Sequence, residues 1–323
     1  MFKLEKITIP DTVKEIGVSA FEDCKKLSDI NMPASLNTLG DRAFIKCSRI
    51  TTVDFGNKLT AIGKHAFKYC INLTKVTLPS SVKTIGSCAF YLCKKLNSIE
   101  LKNGVTTIGA SAFSYTAIKE AIIPNTVTSM GNRCFYSCES LKKVVLPENS
   151  KFTVKTSAFA FCSSLESVTI PSGTKKIEAS AFLSCGKLKA ITLPDTVTSV
   201  GSSAFDGCIL LKDVVLSKNM KVLNKYTFYQ CEALETIDIP ENILTISQGV
   251  FGYDKNLKTL NILGSKTKMD KDSIGTGYWN VNDDGILSGC GQLVIRCPKD
   301  STTYENYVEF FEDVKNVSIE LVE

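Results

Sequence analysis

Two cysteines, Cys88 and Cys93, flank a Phe-Tyr pair in the stretch TIGSCAFYLC. Thiols at that spacing could make a nucleophile site, a metal clip, a disulfide or plain packing. The chain holds 13 cysteines and a single histidine, His65. His65, Cys88 and Ser111 occupy the same slot of three successive sequence repeats, which would set neighbours about 5 Å apart if the repeats stack as parallel strands. A thiol hydrolase working through His65 and Cys88 is the catalytic reading these residues allow. It lacks an orienting group for the base and donors for an oxyanion, so exposed turn residues are the plainer reading.

Other chemistry leaves little trace. No CxxC pair or His-Cys cluster has tetrahedral metal spacing, and no GxxxxGK, strand-following GxGxxG or HExxH occurs. NVNDDG, 280–285, resembles the start of an oxygen-rich calcium loop, but Gly291 stands where the twelfth-place glutamate belongs. The expectation is a non-enzyme without metal or cofactor. Thirty-eight basic and 33 acidic residues give +5 with scattered lysines, which does not point to nucleic acid. No apolar run reaches the roughly 18 to 20 residues of a membrane span, and MFKLEKITIP has no signal-peptide core. The chain reads as soluble, without membrane insertion and without an export address.

The elements that position these residues come from an internal repeat, the first thing to look for in such a chain. ITIPDTVKEIGVSAFEDCKKLSD (7–29), VTLPSSVKTIGSCAFYLCKKLNS (76–98) and ITLPDTVTSVGSSAFDGCILLKD (191–213) align over 23 positions, and eleven copies run from 7 to 259. One residue is lost near Thr116 and one gained near Ser150. Every copy has Phe in one slot, from Phe21 to Phe251, and nine have Cys three residues later, Thr116 and Asp254 standing in the other two. Cys93 belongs to that column and Cys88 does not. A free cysteine is a small, readily buried hydrophobe with a weak donor, so the column reads as reduced thiols in a stacked interior. Disulfides between neighbouring coils and a metal site are the alternatives.

Alternation such as Val76-Thr77-Leu78 predicts a brief strand, ended by a proline slot that holds eight of the nine prolines. A glycine column (Gly17, Gly40, Gly63, Gly86, Gly109, Gly131, Gly201) reads as a turn at positive φ, and SxAF as a turn that drives Phe inward. Residues 1–6 read as the tail of a preceding repeat, which makes the chain a fragment or an array without an N-terminal cap. Residues 260–297 read as a final repeat with an insertion, Leu287 in the Phe slot and Cys290 in the cysteine column. Residues 298–323 read as a cap: a helix started by Ser301 with Tyr304, Tyr307, Val308 and Phe311 at helical spacing, then the strand VSIELV. The sequons at Asn72 and Asn316 match chance.

LxxIxMP at Leu27, Ile30, Met32 and Pro33, with the AFxxC and SVxxIG motifs, resembles the BspA-like leucine-rich repeat family over residues 1 to about 300. The resemblance implies a right-handed leucine-rich-repeat solenoid of short parallel strands, turns and short helical turns. It also implies a cell-surface or secreted, adhesin-type protein that binds host matrix, cell-surface or partner-cell proteins. An intracellular scaffold or inhibitor is the alternative, because reducing compartments preserve free thiols.

Candidate contact residues follow from the strand pattern. Most outward residues of the first strands are polar, but Ile122 and Val145 are apolar in consecutive coils, and Val215 is apolar farther on. A second stripe, Tyr69, Tyr91, Tyr115, Tyr136 and Phe161, lies one or two residues past the Phe slot, where rings either cover the coil edge or form an interface. Trp279, beside Tyr278 in the insertion, either packs on the last coils or makes a contact. Ligand identity and oligomeric state are not written in these residues.

Overall fold

The computed structural model describes residues 4–149, 152–276 and 280–323, in two units, Met1–Leu165 and Glu166–Glu323. Each unit is a parallel-strand solenoid whose coils repeat about every 23 residues. In the first unit, the second strands of six successive coils join one six-stranded sheet running from Glu15–Ile16 through Ala61–Ile62 to Ser129–Met130. Its inward residues register as a column, Ile16, Leu39, Ile62, Ile85, Ile108 and Met130. The first strands form shorter ladders, Lys6–Ile7 with Asp29–Ile30, then Thr52–Asp54 with Lys75–Thr77 and Ser98–Ile99, then Glu120–Ile122 with Lys143–Val145.

Between these strands the proline does more than end a ladder. Its carbonyl accepts the amide of the apolar residue three places on, as in Val13 to Pro10 (3.0 Å) and Val82 to Pro79 (3.2 Å). A β-turn therefore swings each second strand inward.

The phenylalanines stack from coil to coil, with ring centroids 5.1 to 5.5 Å apart from Phe21 to Phe159. Two residues before and two after each Phe, the backbone turns left-handed, at Ser19 and Asp23, His65 and Tyr69, Cys88 and Leu92. Hydrogen bonds offset the strain of non-glycine residues there. The amides of His65, Phe67 and Tyr69 donate to Ser87, Ala89 and Tyr91 of the next coil, whereas those of Ala66, Lys68 and Cys70 close turns on Gly63, His65 and Phe67. Alternate amides thus link coils and close turns, and none of these six is left unpaired.

The glycine column corrects the expectation of positive φ: none of its members is left-handed. A Cβ on Gly40 would stand 2.6 Å from the carbonyl carbon of Gly17, and one on Gly63 2.5 Å from that of Gly40. Glycine is needed because adjacent coils touch there through bare backbone.

The column cysteines from Cys24 to Cys231 are buried and Cys290 is half-buried, and none of them is in a disulfide. In Cys47, Cys70, Cys93, Cys138, Cys162, Cys208 and Cys231 the Sγ donates to the carbonyl of the Phe one coil back, as in Cys47 to Phe21 at 3.0 Å, Cys70 to Phe44 at 3.1 Å and Cys93 to Phe67 at 3.1 Å. In the gap left at Thr116, its hydroxyl donates to Phe113 of its own coil and meets Cys138 Sγ at 3.3 Å.

In the second unit the same pairing joins Lys176–Ile177 to Ser199–Val200 and Ala190–Thr192 to Asp213–Val215. A four-stranded parallel sheet follows, Thr236–Ile239, Thr259–Ile262, Leu293–Pro298 and Val317–Val322. Ile274 pairs with Phe251 and is buried, so it takes the aromatic slot; Leu287, expected there, is buried beside Gly275.

The helix Thr302–Phe310 is capped by Ser301, whose hydroxyl accepts from the Tyr304 amide at 3.2 Å. Its inner face follows the apolar spacing seen in the sequence only in part: Phe311 is buried and Tyr307 half-buried, but Tyr304 and Val308 are exposed and Thr303 and Asn306 are buried. These two polar groups satisfy the last coil's open backbone: Thr303 donates to Thr267 O at 2.9 Å, and Asn306 accepts from Met269 N at 3.0 Å. No helix among the described residues is long and apolar enough to cross a membrane.

Candidate functional site

The thiols form no reactive centre. Burial pushes the Cys47 and Cys208 thiols up to about 12 and holds Cys70, Cys162 and Cys231 well above the ordinary range, so the column stays protonated and poorly nucleophilic. Cys88 is half-buried, and desolvation raises its thiol against the opposing pull of the Lys68 charge. His65 is lowered, first by burial and then by Lys68, and its buried Nδ1 has no partner. A Cys-His catalytic pair works by the reverse shifts, a depressed thiol beside a charged imidazole. No group of three His, Cys, Asp or Glu side chains arranged for a metal exists among the described residues. Asn282 instead uses its Oδ1 to accept the amides of Asp284 and Ile286, which holds the 282–286 turn.

The first-strand ladder of Glu120–Ile122 and Lys143–Val145, the front sheet, brings two candidates together. Ile122 pairs with Val145 in register on adjacent strands, both outward, Ile122 with 57% of its surface exposed and Val145 half-buried. Beside them the ladder lapses between Ser98–Ile99 and Glu120–Ile122. There the Ala117 amide reaches back to Leu96 O at 3.0 Å, and a cleft of about 360 Å³ opens, lined by Ile99, Glu100, Leu101, Ile118, Glu120 and Ile122 among others. The cause is legible in the sequence: Phe113 and Phe135 are 22 residues apart, one short of the repeat.

Val215 lies in the second unit, opposite Thr192 and 55% exposed. Farther along that unit the outward residues satisfy one another, Asn261 Nδ2 donating to Asp238 at 2.7 Å and Arg296 Nε to Glu320 at 2.8 Å.

The aromatic stripe forms a continuous edge-to-face ladder. Tyr69 meets Tyr91 at 6.1 Å, Tyr91 meets Tyr115 at 5.5 Å, Tyr115 meets Tyr136 at 5.6 Å, and Tyr136 meets Phe161 at 5.3 Å, with interplanar angles from 62° to 88°. Cations cover part of it, Lys68 Nζ lying 4.9 Å from the Tyr91 centroid and Arg133 5.7 Å from that of Tyr136. The sequence did not announce a shorter ladder in the second unit, Tyr226 to Tyr229 to Tyr253. Tyr278 and Trp279 lie outside the described residues.

Two features escaped sequence reasoning. The net +5 is a poor summary of the charge, since the first unit holds 22 Lys and Arg against 12 Asp and Glu, a net +10, and the second 16 against 21, a net −5. Asn316, noted only as a sequon, is buried and uses its whole amide, donating to the Leu287, Cys290 and Gly291 carbonyls and accepting from Leu287 N.

The family model described as BspA type leucine rich repeat region matches the chain in six copies over residues 1–79, 60–185 and 152–275. Among solved structures, the chain is similar to a leucine-rich cell surface protein of Faecalibacterium prausnitzii A2-165, with 26% identity, a TM-score of 0.55, and coverage of 99% of this chain and 79% of the other. It shares the fold of the pneumococcal vaccine antigen PcpA at 19% identity and a TM-score of 0.53, covering 98% and 80% of the two chains. No curated protein matches it in sequence.

Proposed function

This chain belongs to the BspA-type leucine-rich repeat family, and on that premise we propose that it is a non-catalytic recognition domain, displayed on a cell surface or secreted, that binds host or partner-cell proteins. The outward face of the first-strand sheet is the binding face. The observation that carries this reading is the apolar pair Ile122 and Val145, in register beside a cleft, on a face where the other outward residues are mostly polar. Solvation alone favours threonine at such positions, whereas a small apolar centre with a polar rim is how protein interfaces are built. Raised thiols and an unpaired His65 support the non-catalytic part. The likeness to a cell surface protein of Faecalibacterium prausnitzii supports the location.

The test is capture on an array of purified matrix and cell-surface proteins by the wild type and by the double variant Ile122→Asp/Val145→Asp. The reading expects the dominant partner to be lost by the variant at unchanged melting temperature, since charges at an interface centre cost more than about tenfold in affinity. Undiminished capture contradicts it.

The free thiols favour one second reading, an intracellular scaffold or inhibitor. Localisation of the full-length gene product with antibodies on intact and permeabilised cells separates the two, because only a surface protein stains on intact cells.

A further inference from the structure

The turn edge of the first unit has properties that coil stability does not require. In the turn segments 64–72, 87–95 and 110–117, three successive coils carry Lys64, Lys68, Lys94 and Lys95 and not one Asp or Glu. Between and beyond these cations runs the aromatic ladder, one ring per coil at 5.3 to 6.1 Å. At its middle the coil that is one residue short leaves a second cleft, of about 290 Å³, lined by Lys94, Tyr115, Ala117, Ser137, Glu139 and Ser140 among others. Tyr115 is 36% exposed at its mouth, and Lys94 and Glu139 are exposed.

This combination is a ring, an ammonium, a carboxylate and two hydroxyls around a concavity at the lower end of ligand-pocket size, about 300 Å³. A sugar satisfies all of them at once. Its C–H face lies on an aromatic ring, its hydroxyls donate to Glu139 and exchange hydrogen bonds with Ser137 and Ser140, and a carboxylate on the sugar pairs with Lys94. The ring spacing along the ladder is close to the advance of one sugar unit in an extended glycan, so a chain can lie along the edge in step with the coils.

We infer that this edge of the first unit is a second binding site, distinct from the front sheet, for an acidic glycan: a uronate-bearing oligosaccharide that runs along the aromatic ladder and places one sugar in the cleft beside Tyr115. The net +10 of the unit draws such a polyanion in and makes the binding sensitive to salt. Single-stranded DNA, the other polyanion that uses aromatics, fits less well, because it brings no row of hydroxyls to donate to Glu139 and to exchange hydrogen bonds with Ser137 and Ser140 in the cleft.

The experiment measures affinity of the whole chain for three probes: a hyaluronan hexasaccharide, a neutral chitin hexasaccharide, and a twelve-residue oligo-dT. The hyaluronan fragment is expected to bind, with affinity that falls as salt rises, and the chitin fragment about tenfold more weakly or worse. Lys94→Gln, an exposed change that leaves the fold intact, is expected to weaken hyaluronan binding about tenfold. Tyr115→Ser, assayed well below its own melting temperature because it also loses ring contacts, is expected to do the same. Absent hyaluronan binding, binding that Lys94→Gln leaves unchanged, or tighter binding of oligo-dT would each overturn the inference.

Discussion

Asp254 departs furthest from the chemistry of its column. It stands where nine other coils place a cysteine, is 2% exposed, accepts the Cys231 amide at 2.7 Å through Oδ1, and leaves Oδ2 buried without a partner. Burial holds its carboxyl well above the usual carboxylate range. The folded chain therefore retains a proton that the unfolded chain releases near pH 4, and the stability that proton supplies is lost as pH rises through the folded value. Asp254→Cys restores the column and is expected to stabilise the second unit by about 1–3 kcal/mol at pH 8, with a smaller gain at pH 5. Urea denaturation at both pH values measures it. A variant no more stable than wild type at pH 8 would show that Asp254 is well accommodated. The sequence displayed the substitution openly, since the column has only two exceptions between Cys24 and Asp254. It did not display the direction of the thiols, seven of which donate to a Phe carbonyl one coil back, because a donor's partner depends on how coils stack.

At the scale of the element, the glycine column shows how a correct residue can be assigned the wrong cause. Glycine at one slot in seven copies suggested a left-handed turn, yet the left-handed positions fall on Ser, Arg, His, Cys and Tyr two residues before the Phe, and glycine marks contact between backbones. No sequence pattern separates these uses of glycine, because both exploit the missing Cβ. Gly63→Ala is therefore expected to force coils apart at a cost of about 1–3 kcal/mol or more. Gly17→Ala meets no atom within 4 Å at normal φ and is expected to change stability by about half a kcal/mol or less, in the stabilising direction. Equal effects at the two positions, measured by denaturation, would contradict the contact explanation. The strands and the Phe core were legible because their periods, two within the strand and 23 between coils, hold through the eleven copies apart from one residue lost near Thr116 and one gained near Ser150. The polar inner face of the terminal helix was not legible. Thr303 and Asn306 answer the exposed backbone of the last coil rather than an apolar core, and apolar spacing carries no record of that task. The two clefts had a faint signal, the one-residue shortening after Phe113, whose consequence depended on seeing the ladder open.

For the whole molecule, the raised thiols couple its stability to alkaline pH. Cys47 and Cys138 of the first unit are pushed up to about 12 and about 11 by burial, from an ordinary 9.0. A raised folded value means that stability is complete below about pH 9 and is lost as pH rises toward the folded value. Each thiol removes at most about 1.4 kcal/mol per pH unit in that window, less near pH 9 where the unfolded thiol is only half ionised, so these two alone remove about 2 kcal/mol between pH 9 and pH 10. The urea midpoint is expected to fall steeply over that interval, and a flat profile would mean that the thiols ionise freely in the folded state. Charge also reads differently at this scale. A net of +5 suggested an unremarkable surface, yet it is the remainder of a basic unit and an acidic one, and only the division into units separates them.

The account holds that the interior is a column of neutral thiols and stacked rings, so that function belongs to the outside of the coils. Reaction of the native protein with a thiol reagent at pH 8 tests this most directly. Cys88 and Cys290, the two half-buried cysteines, are expected to react first and slowly, with the other eleven of the 13 silent until denaturant is added. Rapid native reaction of column cysteines, or a Cys88 that reacts faster as pH falls toward neutrality than a free thiol does, would contradict the account.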